Sequence, residues 1–162
     1  MTEPRWVTAF HEAGHIVASR VLGGRSVGAV LFSAGGGAAY IGELGAFENA
    51  LMTACGPAAE CLAELHSPPD VADRGELPVA ETIDRDAAED LRADLGPSDD
   101  RRIAEWAITG CEAEPDRWAR RHAWIHREAY LLVRRHEHAI LAVASELYAH
   151  GVAGPSPAKE PL

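Results

Sequence analysis

Lysine is nearly absent from this chain of 162 residues: Lys159 is the only one, and every other basic side chain is arginine. A phosphate-binding loop of the Walker type needs a lysine beside its glycines, and no glycine-rich stretch here has one. Nucleotide-driven chemistry is therefore not expected of this chain, and an ATPase acting with it would be a separate polypeptide. Cysteine is also scarce. Cys55, Cys61 and Cys111 cannot all pair and show no Cys-x-x-Cys spacing, so a disulfide framework is excluded and a reducing, cytoplasmic setting is expected. Aromatic residues make up only 6% of the chain. The formal charge of -10 argues against nucleic acid and anionic membrane surfaces as partners. The longest uncharged run, Ser26 to Gly42, is glycine-rich and too short for a membrane span. No basic segment followed by an apolar core opens the sequence, so no secretory signal is expected.

What remains is a chain with 47% apolar residues, rich in alanine and leucine, which favours helix. Trp6, Phe10, Ala13, Val17 and Val21 recur every three or four residues. They predict an amphipathic helix over Arg5 to Leu22, stopped by Gly23-Gly24. Apolar runs on either side of Gly35-Gly36-Gly37 predict a β-hairpin from Ser26 to Leu44. A helical pattern covers Ala46 to Leu65, with Gly56-Pro57 expected to kink or restart it. Residues 66–98 carry prolines and acids around a short helix near Arg85 to Leu95. Ser98 then caps a helix running to about Thr109. From Pro115 one long helix is expected to about His150, its stripe including His122, Ile125, Ala129, His136 and Ile140. One domain over residues 1–150 and a disordered tail over 151–162 complete the reading. The fold expected is mainly α (α+β), with a small antiparallel sheet beside the first helix.

Chemistry concentrates in His11-Glu12-Ala13-Gly14-His15. Histidines at i and i+4 of a helix share a face one turn apart and can grip one metal ion. Neutral imidazole suits zinc, and two histidines plus a carboxylate leave a coordination position open for water. Glu12 stands where it can take a proton from that water and pass it to a leaving amine. A second pair, His122 and His126, has no glutamate between its members, and His122 and His136 are expected to be core histidines. The four tryptophans are likewise expected in the core.

The segment Ala9 to His15 resembles the motif helix in the peptidase domain of the FtsH-type ATP-dependent zinc proteases. The glycine-rich hairpin that follows is similar too. Gly56-Pro57-Ala58-Ala59-Glu60 resembles that family's Gly-Arg-x-Ala-Glu, and Gly96-Pro97-Ser98-Asp99-Asp100 resembles its Gly-x-Ser-Asn-Asp. The resemblance implies a helical zincin-like metallopeptidase cutting flexible or unfolded polypeptides. It implies Asp100 as third zinc ligand, with Asp99, Asp90 and Glu60 as alternatives. Glu60 is otherwise expected to orient a zinc-bound histidine. An exposed strand could hold a peptide substrate by main-chain pairing. A zinc-binding regulatory protein that cleaves nothing is the alternative, although such a site needs no base at Glu12.

Overall fold

A computed structural model describes residues 2–31, 36–42, 44–70 and 98–153. Helix α1 spans Pro4–Val21, with proline in its first turn, where a missing N–H costs nothing. Strands β1 (Arg25–Leu31) and β2 (Gly37–Gly42) follow. Helix α2 (Ala46–Glu60) runs into a 3-10 turn at Cys61–Glu64. After the undescribed stretch come α3 (Asp99–Ile108), α4 (Pro115–Arg135), α5 (Glu137–His150) and β3 (Val152–Ala153). The chain is mainly helical with a small antiparallel sheet, as the periodicity predicts. The sheet order is β2-β1-β3, which leaves β2 as an edge.

Helix α1 is the centre. Every residue from Glu12 to Ser19 is buried, because α2, α5 and the sheet pack around it. Trp6, Phe10 and Ile16 are fully buried, and the Trp6 indole donates to the His66 carbonyl at 2.8 Å. The α1–α2 contact is a close approach at two glycines. A methyl group at Gly14 would overlap the Cys55 carbonyl oxygen and lie 2.8 Å from the Ala59 Cβ. One at Gly56 would overlap the His15 ring.

Three expectations about the elements and their ends change. Helix α2 passes through Gly56-Pro57 without stopping. An interior proline costs ~3 kcal/mol, but the neighbouring glycine is what lets α2 seat on α1, and that burial outweighs the lost bond. The long helix predicted from Pro115 breaks at His136, whose φ of -110° and ψ of 20° leave the helical region. The reason is tertiary: α4 packs on α2 whereas α5 packs on α1, and one straight rod cannot cover both. Glu137, the first residue of α5, also accepts from His66 at 2.9 Å. Finally, the chain does not become a tail at Gly151. That residue caps α5 with a left-handed φ of 76°, reversing the backbone so that Val152 and Ala153 pair with Val30 and Ala29. The expected helix near Arg85 to Leu95 and the rest of the tail lie outside the described residues.

His122 is exposed and His136 half-buried. The buried stripe of α4 steps by four through Ile125, Ala129 and Val133, so its backward extension meets Arg121 rather than His122. Trp124 is 46% exposed on the other flank. No helix among the described residues is long and apolar enough to cross a membrane.

The two glycine contacts make a direct stability test. Gly14→Ala gains helix propensity of about 1 kcal/mol but must overlap backbone, and overpacking of this kind costs roughly 1–3 kcal/mol or more. Its melting temperature is expected to fall by about 5 °C or more. Gly42, with nothing within 4 Å of an added Cβ, is the control, and Gly42→Ala should leave the melting curve nearly unmoved.

Candidate metal centre

Helix α1 presents His11 and His15 on one face, ring centroids 4.7 Å apart and nearly perpendicular. Each ring is fixed from behind by α2. The His11 Nδ1 donates to Glu60 Oε1 at 2.7 Å, and the His15 Nδ1 donates to the Met52 carbonyl at 3.1 Å. A carbonyl oxygen only accepts, and so does a carboxylate, so both protons sit on Nδ1 in the neutral rings. Both Nε2 lone pairs therefore point forward. They meet 3.1 Å apart, and each faces Asp99 Oδ2, at 3.0 Å from His11 and 3.1 Å from His15.

Asp99 arrives as the first residue of α3, where Ser98 caps the helix by accepting from the Arg101 N–H. Asp100, the next residue, is exposed and does not join the histidines. The aspartate beside them is Asp99, one position before the one implied by the resemblance. Successive helical residues point about 100° apart, so with Ser98 as cap Asp99 turns toward α1 and Asp100 away from it. Asp90 lies outside the described residues.

Three acceptor atoms at such distances repel unless a cation lies between them. His11, His15 and Asp99 could therefore hold a metal ion. Tetrahedral zinc with bonds of about 2.0–2.1 Å would space its ligand atoms by roughly 3.3 Å, close to the separations found. Without metal, a proton answers the same need. Burial disfavours a charged His11 ring, but the hydrogen bond to Asp99, the charge of Glu12 and the hydrogen bond to Glu60 outweigh it and raise His11 to about 9. Asp99 is partly buried, which would raise it, yet the two histidines hold its carboxyl well below the usual carboxylate range.

Glu12 is 5% exposed. Burial pushes its carboxyl up, opposed by His15 and His11. Its side chain lies against the edge strand: a Cβ at Gly37 would sit 2.8 Å from Glu12 Cγ and 3.0 Å from Oε1. His11, Glu12, His15 and Asp99 line one cleft of about 570 Å³. Its walls are β2 at Gly37, Ala38 and Ala39, α2 at Asn49, Met52 and Thr53, and α3 at Arg102. Sequence reasoning missed the Met52 carbonyl, since a backbone acceptor leaves no mark in residue type. It also missed Gly37 and Gly56 as clearance for Glu12 and His15, having read both glycines as chain breakers. The three cysteines are all free, and burial pushes the Cys55 thiol up to about 12, far from a reactive thiolate.

Two outcomes follow for metal binding. Asp99→Asn should lower zinc affinity by tenfold or more, because the amide brings no charge, whereas Asp100→Asn should leave it unchanged. Titration against a chromophoric chelator separates them, and the reverse order would move the third ligand to Asp100. Metal uptake must also expel the proton on His11. The ring is protonated below about 9, so apparent affinity rises with pH through the neutral range and levels off above that value. The same titration repeated across that range reads the slope.

No protein-family model matches the chain, and no similar protein is found among curated sequences or solved structures; the functional reading rests on the geometry of the cleft.

Proposed function

We propose that this chain is a zinc-dependent metalloendopeptidase that cuts flexible or unfolded polypeptides, akin to the FtsH-type peptidase domain its motif helix resembles. The observation that carries the reading is Glu12. A set of three metal ligands alone serves structure or regulation equally well, but neither use calls for a further carboxylate buried beside the set in the same cleft. Burying it is unfavourable, and its raised affinity for a proton suits a general base.

Two imidazole nitrogens and one carboxylate oxygen suit zinc and leave one tetrahedral position free. When bound, zinc supplies Lewis acidity, polarising the scissile carbonyl and acidifying the attacking water. The chain's own residues do the rest. Glu12 accepts the proton of the attacking water and delivers it to the departing amine. Glu60 and the Met52 carbonyl hold the histidine rings in one tautomer and one orientation, which raises ligand basicity. Among the described residues, strand β2 has β1 on one side only, so its other edge can pair with an extended peptide beside the ligands. Its small residues, Gly37, Ala38 and Ala39, leave room for substrate side chains.

Such pairing demands a substrate backbone that is already free, and a stable domain offers that only rarely. A cytoplasmic location and a separate ATPase that delivers substrate fit this reading, while the cleavage step itself needs no nucleotide. The zinc-loaded chain is expected to cut casein or a denatured protein, to spare the compact form of the same protein, and to ignore added ATP. Glu12→Gln should abolish cleavage while retaining zinc and fold. Unchanged turnover in that variant would overturn the mechanism, and rapid cleavage of a stably folded substrate would overturn the substrate class.

A further inference from the structure

Three of the chain's few aromatic side chains meet at the surface instead of in the core. Phe47, in the first turn of α2, stacks on Trp124 of α4 with centroids 5.5 Å apart and planes 23° apart. Trp106 of α3 stacks on Trp124 at 6.5 Å and lies 6.1 Å from Phe47. Phe47 is 37% and Trp124 46% exposed. The Arg121 guanidinium sits over Trp106, 4.4 Å from its centroid, and donates to the Thr109 carbonyl at 2.7 Å, which locks it in place. Beyond it opens a second hollow of about 530 Å³, lined by Trp124, Arg117, Arg120, Arg121 and Glu114. Arg117 pairs with Glu114 at 3.1 Å, which leaves Arg120 and Arg121 as the surplus positive charge of this lining on a chain whose formal charge is -10.

The platform and the cleft share helix α3. Asp99, Arg102 and Trp106 follow at steps of three and four along α3, so they share one face. Asp99 and Arg102 line the cleft itself. At 1.5 Å per residue, Asp99 and Trp106 stand roughly 10 Å apart along the axis. An extended peptide rising about 3.3 Å per residue covers that distance in roughly three residues.

We propose that Phe47, Trp106 and Trp124, with Arg117, Arg120 and Arg121, form a distal substrate subsite that binds an aromatic side chain flanked by acidic residues, about three residues from the scissile bond. The proposal rests on the peptidase reading and adds the substrate class. Stacking on Trp124 supplies an aromatic face, the arginines supply charge complementarity, and distance from the metal ligands confines the effect to binding.

The test uses the zinc-loaded chain and three fluorogenic peptides: a short one, one extended by Phe-Glu-Glu, and one extended by Phe-Lys-Lys, with the extension placed at either end. The Phe-Glu-Glu peptide should have the lowest KM. Trp124→Ala should remove about five- to tenfold of its advantage over the short peptide, with the loss in KM and not in kcat. Trp124→Phe should retain most of it, and Arg120→Glu should reverse the preference between glutamate and lysine extensions. Equal KM ratios in wild type and Trp124→Ala, or a loss as large for the short peptide as for the long, would overturn the subsite. Binding of the labelled Phe-Glu-Glu peptide to zinc-loaded Glu12→Gln, read by fluorescence anisotropy, separates the two readings. If Trp124-dependent binding is found and wild type cleaves nothing, the peptidase assignment fails and the subsite stands. If cleavage proceeds without regard to Trp124, the subsite fails and the peptidase stands.

Discussion

Three acceptor atoms within 3.1 Å of one another stay together only around a cation, and much of the architecture exists to hold them there against their repulsion. The cost of that arrangement is met by rigidity. His15 is buried at 8% exposure, its ring fixed by the Met52 carbonyl and closed in by Gly56. Helix α1 is packed by its neighbours, every residue from Glu12 to Ser19 being buried. A ligand pair on a frayed surface helix would relax by swinging apart. Here the surrounding packing forbids that, so the convergence persists and is available to a metal ion.

The same constraint explains where the glycines lie. Gly14 and Gly56 are the points at which α1 and α2 touch, and only that close approach brings the α2 backbone within reach of His15 Nδ1. Any side chain at these positions would push α2 outward and withdraw both the Met52 carbonyl and Glu60. Gly37 performs the corresponding service on the other wall, where it makes space for Glu12. The residues that mark the chemistry are therefore His11, Glu12, His15 and Asp99, but the residues that permit it are three glycines from three different elements.

Much of this was legible in the sequence and some was not, for identifiable reasons. The motif helix, the hairpin and the cap at Ser98 are local features, written in periodicity and in residue types with strong conformational preferences. The aspartate that meets the histidines is one residue before Asp100 because adjacent acids on a helix differ by a rotation, and rotation is fixed by what the helix packs on. The break at His136 was hidden for a similar reason. Ile125, Ala129, Ile140 and Val143 are all buried and continue one stripe through it, yet the partners on either side of the break are different helices. The strand at Val152 depends on pairing with β1, more than a hundred residues earlier, which no short window can reveal. Trp124 reads as a core residue by type, and only the flank it occupies on α4 places it at the surface.

An edge strand is ordinarily a hazard, because its unpaired backbone invites other strands to add to it. Proteins blunt such edges with charge, proline or a covering element; between Gly37 and Gly42, β2 carries no charge and no proline, and among the described residues only β1 pairs with it. Its composition follows from the site instead. Gly37 must be small for Glu12 to fit, and Ala38 is buried on the face turned inward. What is left is a short, uncharged edge lying along the same cleft as the buried carboxylate and the converging ligands. If the proposed peptidase reading holds, a short strand unpaired there among the described residues would offer its pairing capacity where an extended backbone meets the chemistry. Under the proposed peptidase reading, a feature that is a liability on other faces of a fold lies here where adding a strand would have a use.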